Sequence, residues 1–441
     1  MLSKEDNELI TRVGPGTPMG EMYRRYWVPA CLSSELPEPD CDPIRVRLLG
    51  ESLVAFRATD GRIGLLPENC AHRGASLFFG RCEEGGLRCL YHGWKYDVEG
   101  NVLDTPCELP GSVVKDRVKH VAYPVQEHGD IAWAYMGPLE KMPAFPEFQW
   151  TTVPATNRTV KKVLEECNWL QSLEGAMDPP HPMVLHDGRD VMRYPDDQAH
   201  LRRQGSGLEV VDTRYGLCHI ATRPSAQDPE RSVAVTIHPF VAPFTSYITG
   251  PAIEFGGRGA ITGGPQHWGV HLFVPADDHN NYYYEVRYHP AKAIEPDDEE
   301  RFLVPGVDID GTGRKIKRRL ENDYLQDRDA MRAKRTFSGF DGKPHEDIAM
   351  IESMGPIYDR TKEHLGNSDV VTIALRRRLI KAVRDFLEGG DPPGLDPSIP
   401  YESLAGITIE VPAGAPWTDA DADLADYLAL DEPPKVAAGQ R

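Results

Sequence analysis

Residues 67–100 read PENCAHRGASLFFGRCEEGGLRCLYHGWKYDVEG, and they are the most informative segment for the fold of the chain. It contains two mixed pairs of metal-binding side chains, Cys70-x-His72 and, after sixteen residues, Cys89-x-x-His92. Each pair fits at the tip of one loop, and together the pairs supply two thiolates and two imidazoles. Such a set suits one tetrahedral zinc ion, or a [2Fe–2S] cluster with both cysteines on one iron and both histidines on the other.

The mixed composition of each pair favours the two-iron cluster. Structural zinc sites usually combine like ligands, as Cys-x2-Cys or His-x3-5-His. Here each loop offers one cysteine and one histidine, so that each loop can contact both irons. The turn at His92-Gly93 is followed by Trp94 and Tyr96, which predict an aromatic cover that keeps water from the sulfides. Cys82 lies outside the pairs and is predicted to be structural.

The composition limits the remaining possibilities. The chain has 441 residues, which predicts at least two domains because a domain usually has roughly 150. Its formal net charge of -19 argues against non-specific binding to nucleic acids. No apolar run is long enough for a membrane span, and the N-terminal residues lack the apolar core of an export signal. We therefore expect a cytoplasmic protein without membrane or nucleic-acid partners.

The distribution of strand and helix signals predicts an α+β chain with two domains. Strand-like segments at 44–66 and 130–137 surround the Cys/His loops, which indicates a small all-β domain over 41–150. Residues 160–177 are predicted to form one helix that ends at a Pro-Pro pair, and three strand-like regions and further helices follow. The larger domain, 1–40 and 151–441, is expected to be a sheet flanked by helices.

A second candidate metal site follows this predicted helix. His181 and His186 stand five residues apart in DPPHPMVLH, where they can converge on one ion. Two histidines and one carboxylate leave open positions on Fe(II), as in the facial triad. Two histidines in a Pro-rich loop are often incidental, but a cluster that passes single electrons requires a second site for chemistry on carbon.

The two motifs together resemble a known family. Cys70-x-His72-Arg73-Gly74-Ala75 and Cys89-x-x-His92-Gly93-Trp94-x-Tyr96 are similar to the Rieske centre of ring-hydroxylating oxygenases. KEDNELITRVGPGTPMGEMYRRYWVPA and AMIESMGPIYDRTKEHLG resemble the phthalate 4,5-dioxygenase branch, and DPPHPMVLH resembles its Asp-x2-His-x4-His pattern. The resemblance implies a catalytic domain of the helix-grip type with a mononuclear Fe(II) and a Rieske [2Fe–2S] domain.

The resemblance also assigns the third iron ligand and a bridging acid. EDIAMIESM offers Glu346, Asp347 and Glu352, and the resemblance selects Asp347. It gives Asp178 the role of connecting His92 of one subunit to an iron-bound histidine of the next. Such a head-to-tail contact closes into a ring, so a homotrimer, or a hexamer of two trimers, is expected. Upstream in the predicted helix, Asn168 and Glu174 are expected to support the iron site.

The sequence gives less information about the substrate and the electron donor than about the metal ligands. Candidate arginines for a substrate carboxylate are Arg202, Arg203, Arg214, Arg223 and Arg287. The strand 233–243 carries His238 and Phe240 but no arginine, so O-demethylation of a methoxylated aromatic acid fits as well as hydroxylation of a phthalate-like acid. No nucleotide-binding glycine motif follows a strand, which predicts a separate NAD(P)H-dependent reductase. The alternatives are a Rieske electron carrier and a zinc-binding structural protein.

Overall fold

The computed structural model of the chain describes residues 1–186, 207–225, 228, 230–248, 267–295, 317–419, 424 and 428. The chain splits into a smaller unit, Arg12–Phe145 with Val274–Asp278, and a larger unit that contains the rest. The smaller unit therefore begins near residue 12 instead of the expected 41. The unit extends before residue 41 because strand β1 (Trp27–Leu32), an unpredicted strand, pairs with β10 (Ile131–Tyr135) inside it.

Short antiparallel strands build the smaller unit. They form three sheets in the orders β1-β10-β9, β2-β3-β4 and β5-β6-β7-β8. The other strands are β2 (Ile44–Leu48), β3 (Glu51–Arg57), β4 (Ile63–Pro67), β5 (Arg81–Glu83), β6 (Gly86–Arg88), β7 (Lys95–Tyr96), β8 (Val102–Asp104) and β9 (Val125–His128). Two helices precede these strands in the chain: α1 (Lys4–Thr11), which belongs to the larger unit, and α2 (Pro18–Tyr23), which belongs to the smaller unit. A third helix of the smaller unit, α3, is Val114–Arg117.

The bases of both Cys/His loops belong to the core of the smaller unit. Cys70 and Cys89 are buried in a cluster with apolar side chains such as Phe56, Leu66 and Leu87. Burial of these side chains stabilises the unit by about 25 cal/mol per Å² of apolar surface removed from water. The core therefore fixes the two cysteines, whereas the loop tips extend from it.

The larger unit contains an eight-stranded antiparallel sheet. Its order is β11-β17-β16-β15-β14-β13-β12, and β18 pairs with β14. The strands are β11 (Arg158–Glu165), β12 (Gly207–Thr213), β13 (Gly216–Pro224), β14 (Ser232–Val241), β15 (Thr245–Ile248), β16 (Trp268–Pro275), β17 (Asn281–Tyr288) and β18 (Ile407–Pro412).

The single helix predicted over 160–177 is wrong in its first half. Residues 158–165 are strand β11, which pairs along its whole length with β17. The hydrogen bonds and side-chain contacts of this pairing stabilise the segment more than helix formation would. Helix α5 (Trp169–Ala176) begins only after Asn168, whose side chain accepts a hydrogen bond from the Leu170 N–H and caps the first turn.

Helices pack against the large sheet. Ser172 of α5 contacts Glu165 and Asn281 at 2.5 and 3.0 Å, and Ser246 contacts Met177 at 3.3 Å. The other helices are α4 (Gln149–Thr152), α6 (His181–Val184), α7 (Arg328–Arg332), α8 (Lys343–Ser353) and α9 (Val370–Leu387). The expected α+β class, with a small all-β domain and a helix-flanked antiparallel sheet, is confirmed. Within the described part of the chain, no helix is long and apolar enough to cross a bilayer.

Candidate metal centres

The two Cys/His loops share one backbone frame. In each, the cysteine N–H donates to the carbonyl five residues later at 2.8 Å, and a glycine N–H four residues later donates back to the cysteine carbonyl. Those glycines, Gly74 and Gly93, have φ of 74° and 76°, a conformation that side chains with a Cβ disfavour. The repeated frame places Cys70 and Cys89 equivalently, although the histidine follows at different spacings.

Aromatic groups surround the side chains at the loop tips. The imidazoles of His72 and His92 lie 4.6 Å apart, and the indole of Trp94 stacks on His72 at 4.6 Å with an interplanar angle of 2°. The hydroxyl of Tyr96 lies 3.1 Å from Cys70 Sγ. The Nδ1 atom of His72 is buried and has no hydrogen-bond partner among the described residues, so it is available as a ligand.

The electrostatics of these groups fit metal binding. Burial raises the pKa of the Cys89 thiol, so a positively charged centre would be needed to hold it as a thiolate. Burial, together with His72 and Arg73, lowers the pKa of His92, which keeps its imidazole neutral as a ligand requires. Two thiolates and two neutral imidazoles are the donor set of a Rieske cluster.

The second centre forms where helix α6 meets helix α8. His181 Nε2 lies 3.4 Å and His186 Nε2 lies 3.2 Å from the same oxygen of Asp347, Oδ1. The three donor atoms all lie within 4.8 Å of one another. Among the described residues, no other group of His, Cys, Asp or Glu has its donor atoms this close together. The ligands of a single zinc ion would be this close, whereas the four donors of the Cys/His loops are not.

Packing between helices α5 and α8 brings Asp347 to the histidines. Gly175 leaves room for Ile351, because a Cβ at Gly175 would lie 2.9 Å from the Ile351 Cδ1 atom. Gln171 of α5 donates to the carbonyls of Ile351 and Gly355 at 3.3 and 2.9 Å. The chain then breaks at Pro179-Pro180 and turns into α6, which begins at His181.

The charges at this centre balance around the Asp347 carboxylate. Burial lowers the pKa of His181, but the carboxylates of Asp178 and Asp347 outweigh it and raise that pKa to about 9. The pKa of His186 is raised in the same way by Asp347 and Glu346, in spite of burial. Burial raises the pKa of Asp347, but the two histidines outweigh this effect, so that the pKa is lowered. A carboxylate that holds protons on two converging imidazoles fits a divalent cation in their place.

The other predicted site residues of this unit have separate contacts. The carboxylate of Asp178 is about one-third exposed, and its Oδ2 lies 3.7 Å from His181 Nδ1. Asn168 caps helix α5 and donates to the Thr11 carbonyl at 2.9 Å. Glu174 binds Arg360 and Arg376 at 2.8 and 2.6 Å, so its hydrogen bonds stabilise helix packing and not the metal ligands.

The candidate substrate arginines that the structure describes each have a different partner. Arg202 and Arg203 lie outside the described residues. Arg223 is exposed and donates to the Pro179 carbonyl at 3.4 Å, and Arg214 binds Asp396 at 3.1 Å. Arg287 donates twice to Oε1 of Glu285, at 3.0 and 2.6 Å, which offsets its charge.

Sequence reasoning missed the role of Glu346. It weighed this acid only as a possible iron ligand, whereas Glu346 Oε2 accepts a hydrogen bond from His186 Nδ1 at 2.7 Å. Its position directly before Asp347 in α8 was the available signal. Two adjacent acids of a helix point in directions about 100° apart, so they can approach one imidazole ring at its two different nitrogens.

Comparisons with known proteins agree with both centres. Residues 26–129 match the family described as "Rieske [2Fe-2S] domain", and residues 134–432 match "LigXa C-terminal domain like". The chain is 38% identical over 400 residues to the phthalate 4,5-dioxygenase oxygenase subunit of Pseudomonas putida, covering 88% of each chain. It is 44% identical over 418 residues to the 5,5'-dehydrodivanillate O-demethylase oxygenase subunit of Sphingobium sp. (strain NBRC 103272 / SYK-6), covering 90% of this chain and 85% of that one.

A solved structure shares the fold. The QL mutant of Pseudomonas putida CBB5 NdmA with caffeine has a TM-score of 0.59 at 18% identity, over 83% of this chain and 93% of that one. The family matches and the two relatives cover both units. The chain therefore belongs to the oxygenase subunits of Rieske non-heme iron oxygenases, oxidoreductases that carry a [2Fe–2S] cluster and a mononuclear iron, in the branch related to phthalate 4,5-dioxygenase.

Proposed function

We propose that this chain is the terminal oxygenase that hydroxylates an aromatic carboxylate with O2. The observation that carries the proposal is the convergence of His181, His186 and Asp347 in a chain that also has a Rieske domain. The iron, when bound by these three side chains, supplies the activation of dioxygen. The protein holds the two imidazoles and the carboxylate in place, and Gln171 of α5 donates to the carbonyls of Ile351 and Gly355, which fixes the helix that carries Asp347.

We assign the cluster ligands to Cys70, His72, Cys89 and His92. The buried, unpartnered Nδ1 of His72 and the shared backbone frame of the two loops support this assignment. The smaller unit then serves as the Rieske domain and the larger unit as the catalytic domain. An electron carrier would need only the first, and iron analysis separates the two: about three iron atoms per chain for an oxygenase against about two for a carrier.

The electron path in this proposal crosses between subunits of a ring. Asp178 is exposed enough to reach a second chain while its carboxylate lies near His181. At the cluster, Leu90 and Tyr91 are 60% and 58% exposed beside His92, an apolar rim that suits burial against another copy. Such a head-to-tail contact closes into a trimer, or into a hexamer of two trimers. A separate NAD(P)H-dependent reductase supplies the electrons, and a cytoplasmic location stays a prediction.

O-demethylation of a methoxylated aromatic acid is the second candidate. The 44% identity to a relative named as an O-demethylase subunit favours it. On the sheet face toward α5, His238 and Phe240 occupy β14, and the candidate Arg287 of β17 is paired with Glu285. Phthalate itself has two carboxylates to neutralise and is the less suited substrate.

A substrate screen with a surrogate reductase tests both candidates. Phthalate, benzoate, 3-methoxybenzoate and 4-hydroxy-3-methoxybenzoate are compared by oxygen uptake against product. Hydroxylation gives a ring-oxygenated acid, whereas O-demethylation releases formaldehyde in proportion to the oxygen consumed. Oxygen uptake without oxidation of any aromatic acid would refute the proposed substrate class.

A further inference from the structure

The two converging histidines are anchored in different ways. The Nδ1–H of His181 donates to the main-chain carbonyl of Asp178 at 2.7 Å. The Nδ1–H of His186 donates at the same distance to a side chain, Oε2 of Glu346. One imidazole is therefore held by the neutral backbone and the other by a carboxylate. Only the second anchor can be removed by substitution.

Glu346 is itself fixed. Its side chain is 11% exposed, and the hydroxyl of Ser338 donates to its second oxygen, Oε1. Glu346 is the last residue of the first turn of α8, and Asp347 follows it directly. These two neighbours therefore present one carboxylate to Nε2 of His186 and another to Nδ1 of the same ring.

We propose that Glu346 is a positioning residue that fixes the tautomer and orientation of His186 and thereby increases the affinity of the site for iron. The inference rests on the proposed iron site. With the proton held on Nδ1 by Glu346, the Nε2 lone pair is directed toward the metal. A carboxylate on the far nitrogen also makes the imidazole a stronger donor, and loss of such a partner typically lowers metal affinity by roughly 10–100-fold.

Two substitutions separate geometry from charge. Glu346→Gln can keep an amide oxygen on His186 Nδ1 and turn its NH2 group toward Ser338, so that orientation is retained without the carboxylate. Glu346→Ala removes both. We expect the dissociation constant for Fe2+ to rise roughly 10–100-fold in Glu346→Ala and by a smaller factor in Glu346→Gln.

Glu352 provides the matched control on the same helix. It is buried like Glu346, but its two oxygens accept hydrogen bonds from the Glu166 N–H and the Tyr324 hydroxyl, both at 2.7 Å. Glu352→Gln should change the melting temperature without changing the affinity for Fe2+. The visible absorption of the Rieske cluster reports in every variant that the chain has folded.

The affinity is measured on the full chain after its mononuclear metal has been removed. The protein is titrated anaerobically with Fe2+, and separately with Co2+, a spectroscopic probe whose absorption reports its ligands. Equal affinities of wild type, Glu346→Ala and Glu346→Gln would overturn the inference, as would equal losses in Glu346→Ala and Glu352→Gln. The variant Asp347→Ala tests the proposed site itself. If it binds Fe2+ as wild type does, the proposed iron site fails and this inference fails with it; if only Asp347→Ala loses affinity, the inference alone fails.

Discussion

The two candidate metal centres differ in how far apart their residues lie in the sequence. The four cluster residues fall within 70–92, on two loops that repeat one hydrogen-bonding frame. The mononuclear site joins His181 and His186 to Asp347, more than 160 residues later. The first centre depends on local turns anchored in a small core, whereas the second depends on helix α8 packing against helix α5. A change at one centre should therefore leave the other intact.

Removal of Asp347 should have the largest effect. In Asp347→Ala the two histidines keep their places but lose the carboxylate that both approach. We expect turnover to fall by about 10³-fold or more, and iron to drop from about three to about two atoms per chain. Iron analysis beside the visible spectrum checks this. Loss of the Rieske absorption in this variant would contradict the independence of the two centres.

The buried ion-pair cluster behind α5 should dominate the stability of the larger unit. Glu174 binds Arg360, which is fully buried, and Arg376, which also binds Glu363. Glu174→Gln leaves buried arginines short of a partner and should cost about 3–5 kcal/mol of unfolding free energy. Denaturant titration measures it, with Lys381→Gln as the control because the Lys381–Asp385 pair is exposed.

The same ion pairs predict a dependence of stability on acid. Burial raises the pKa of Glu174, but Arg360 and Arg376 outweigh it and hold the pKa below the ordinary value of 4.5. The pairs therefore stabilise the fold fully above the unfolded-state pKa, and that stability is lost as the pH falls through the lower folded-state value. Glu174→Gln should weaken this loss at pH values below the ordinary carboxyl pKa of 4.5. An unchanged acid-unfolding profile would show that other carboxyls decide it.

Asp178→Asn tests whether the two centres are connected through this residue. The substitution keeps the main-chain carbonyl that anchors His181, so both metals should be retained. We expect turnover to fall roughly 10–100-fold, because the amide cannot accept protons from two imidazoles as a carboxylate does. Rapid mixing of the reduced enzyme with substrate and O2 measures the rate of cluster reoxidation. An unchanged rate would contradict the bridging role.

The glycines of the two loops should give the smallest effects and compare the loops directly. Alanine costs about 1–2 kcal/mol at a positive φ. A Cβ at Gly93 would also lie 2.5 Å from Pro106 Cγ, whereas a Cβ at Gly74 meets nothing within 4 Å. Gly93→Ala should therefore destabilise the smaller unit more than Gly74→Ala does. Thermal loss of the Rieske absorption orders the two variants; equal midpoints would mean that the loop near Pro106 adjusts freely.

Sequence patterns predicted the class of the fold but not every strand. The hairpin over 44–66 and strands β12 to β17 of the large sheet were recognisable from their β-branched and aromatic residues. Residues 160–165 were expected to be helical because their charged residues have good helix propensity. Pairing with β17 overrode that preference, as tertiary contacts often do. Strand β1 was missed because its partner β10 lies about a hundred residues away.

The donor types and the local turns follow from the amino-acid sequence: mixed Cys/His pairs, glycines where φ must be positive, and two histidines after a Pro-Pro break. Local spacing suffices there because the atoms involved lie within a few bonds of one another along the chain. The packing of distant elements selects which acid of α8 faces both histidines, and it places the neighbouring Glu346 on the other side of His186. Those relations arise from the packing of α8 on α5, and no short-range pattern encodes the angle at which two distant helices meet.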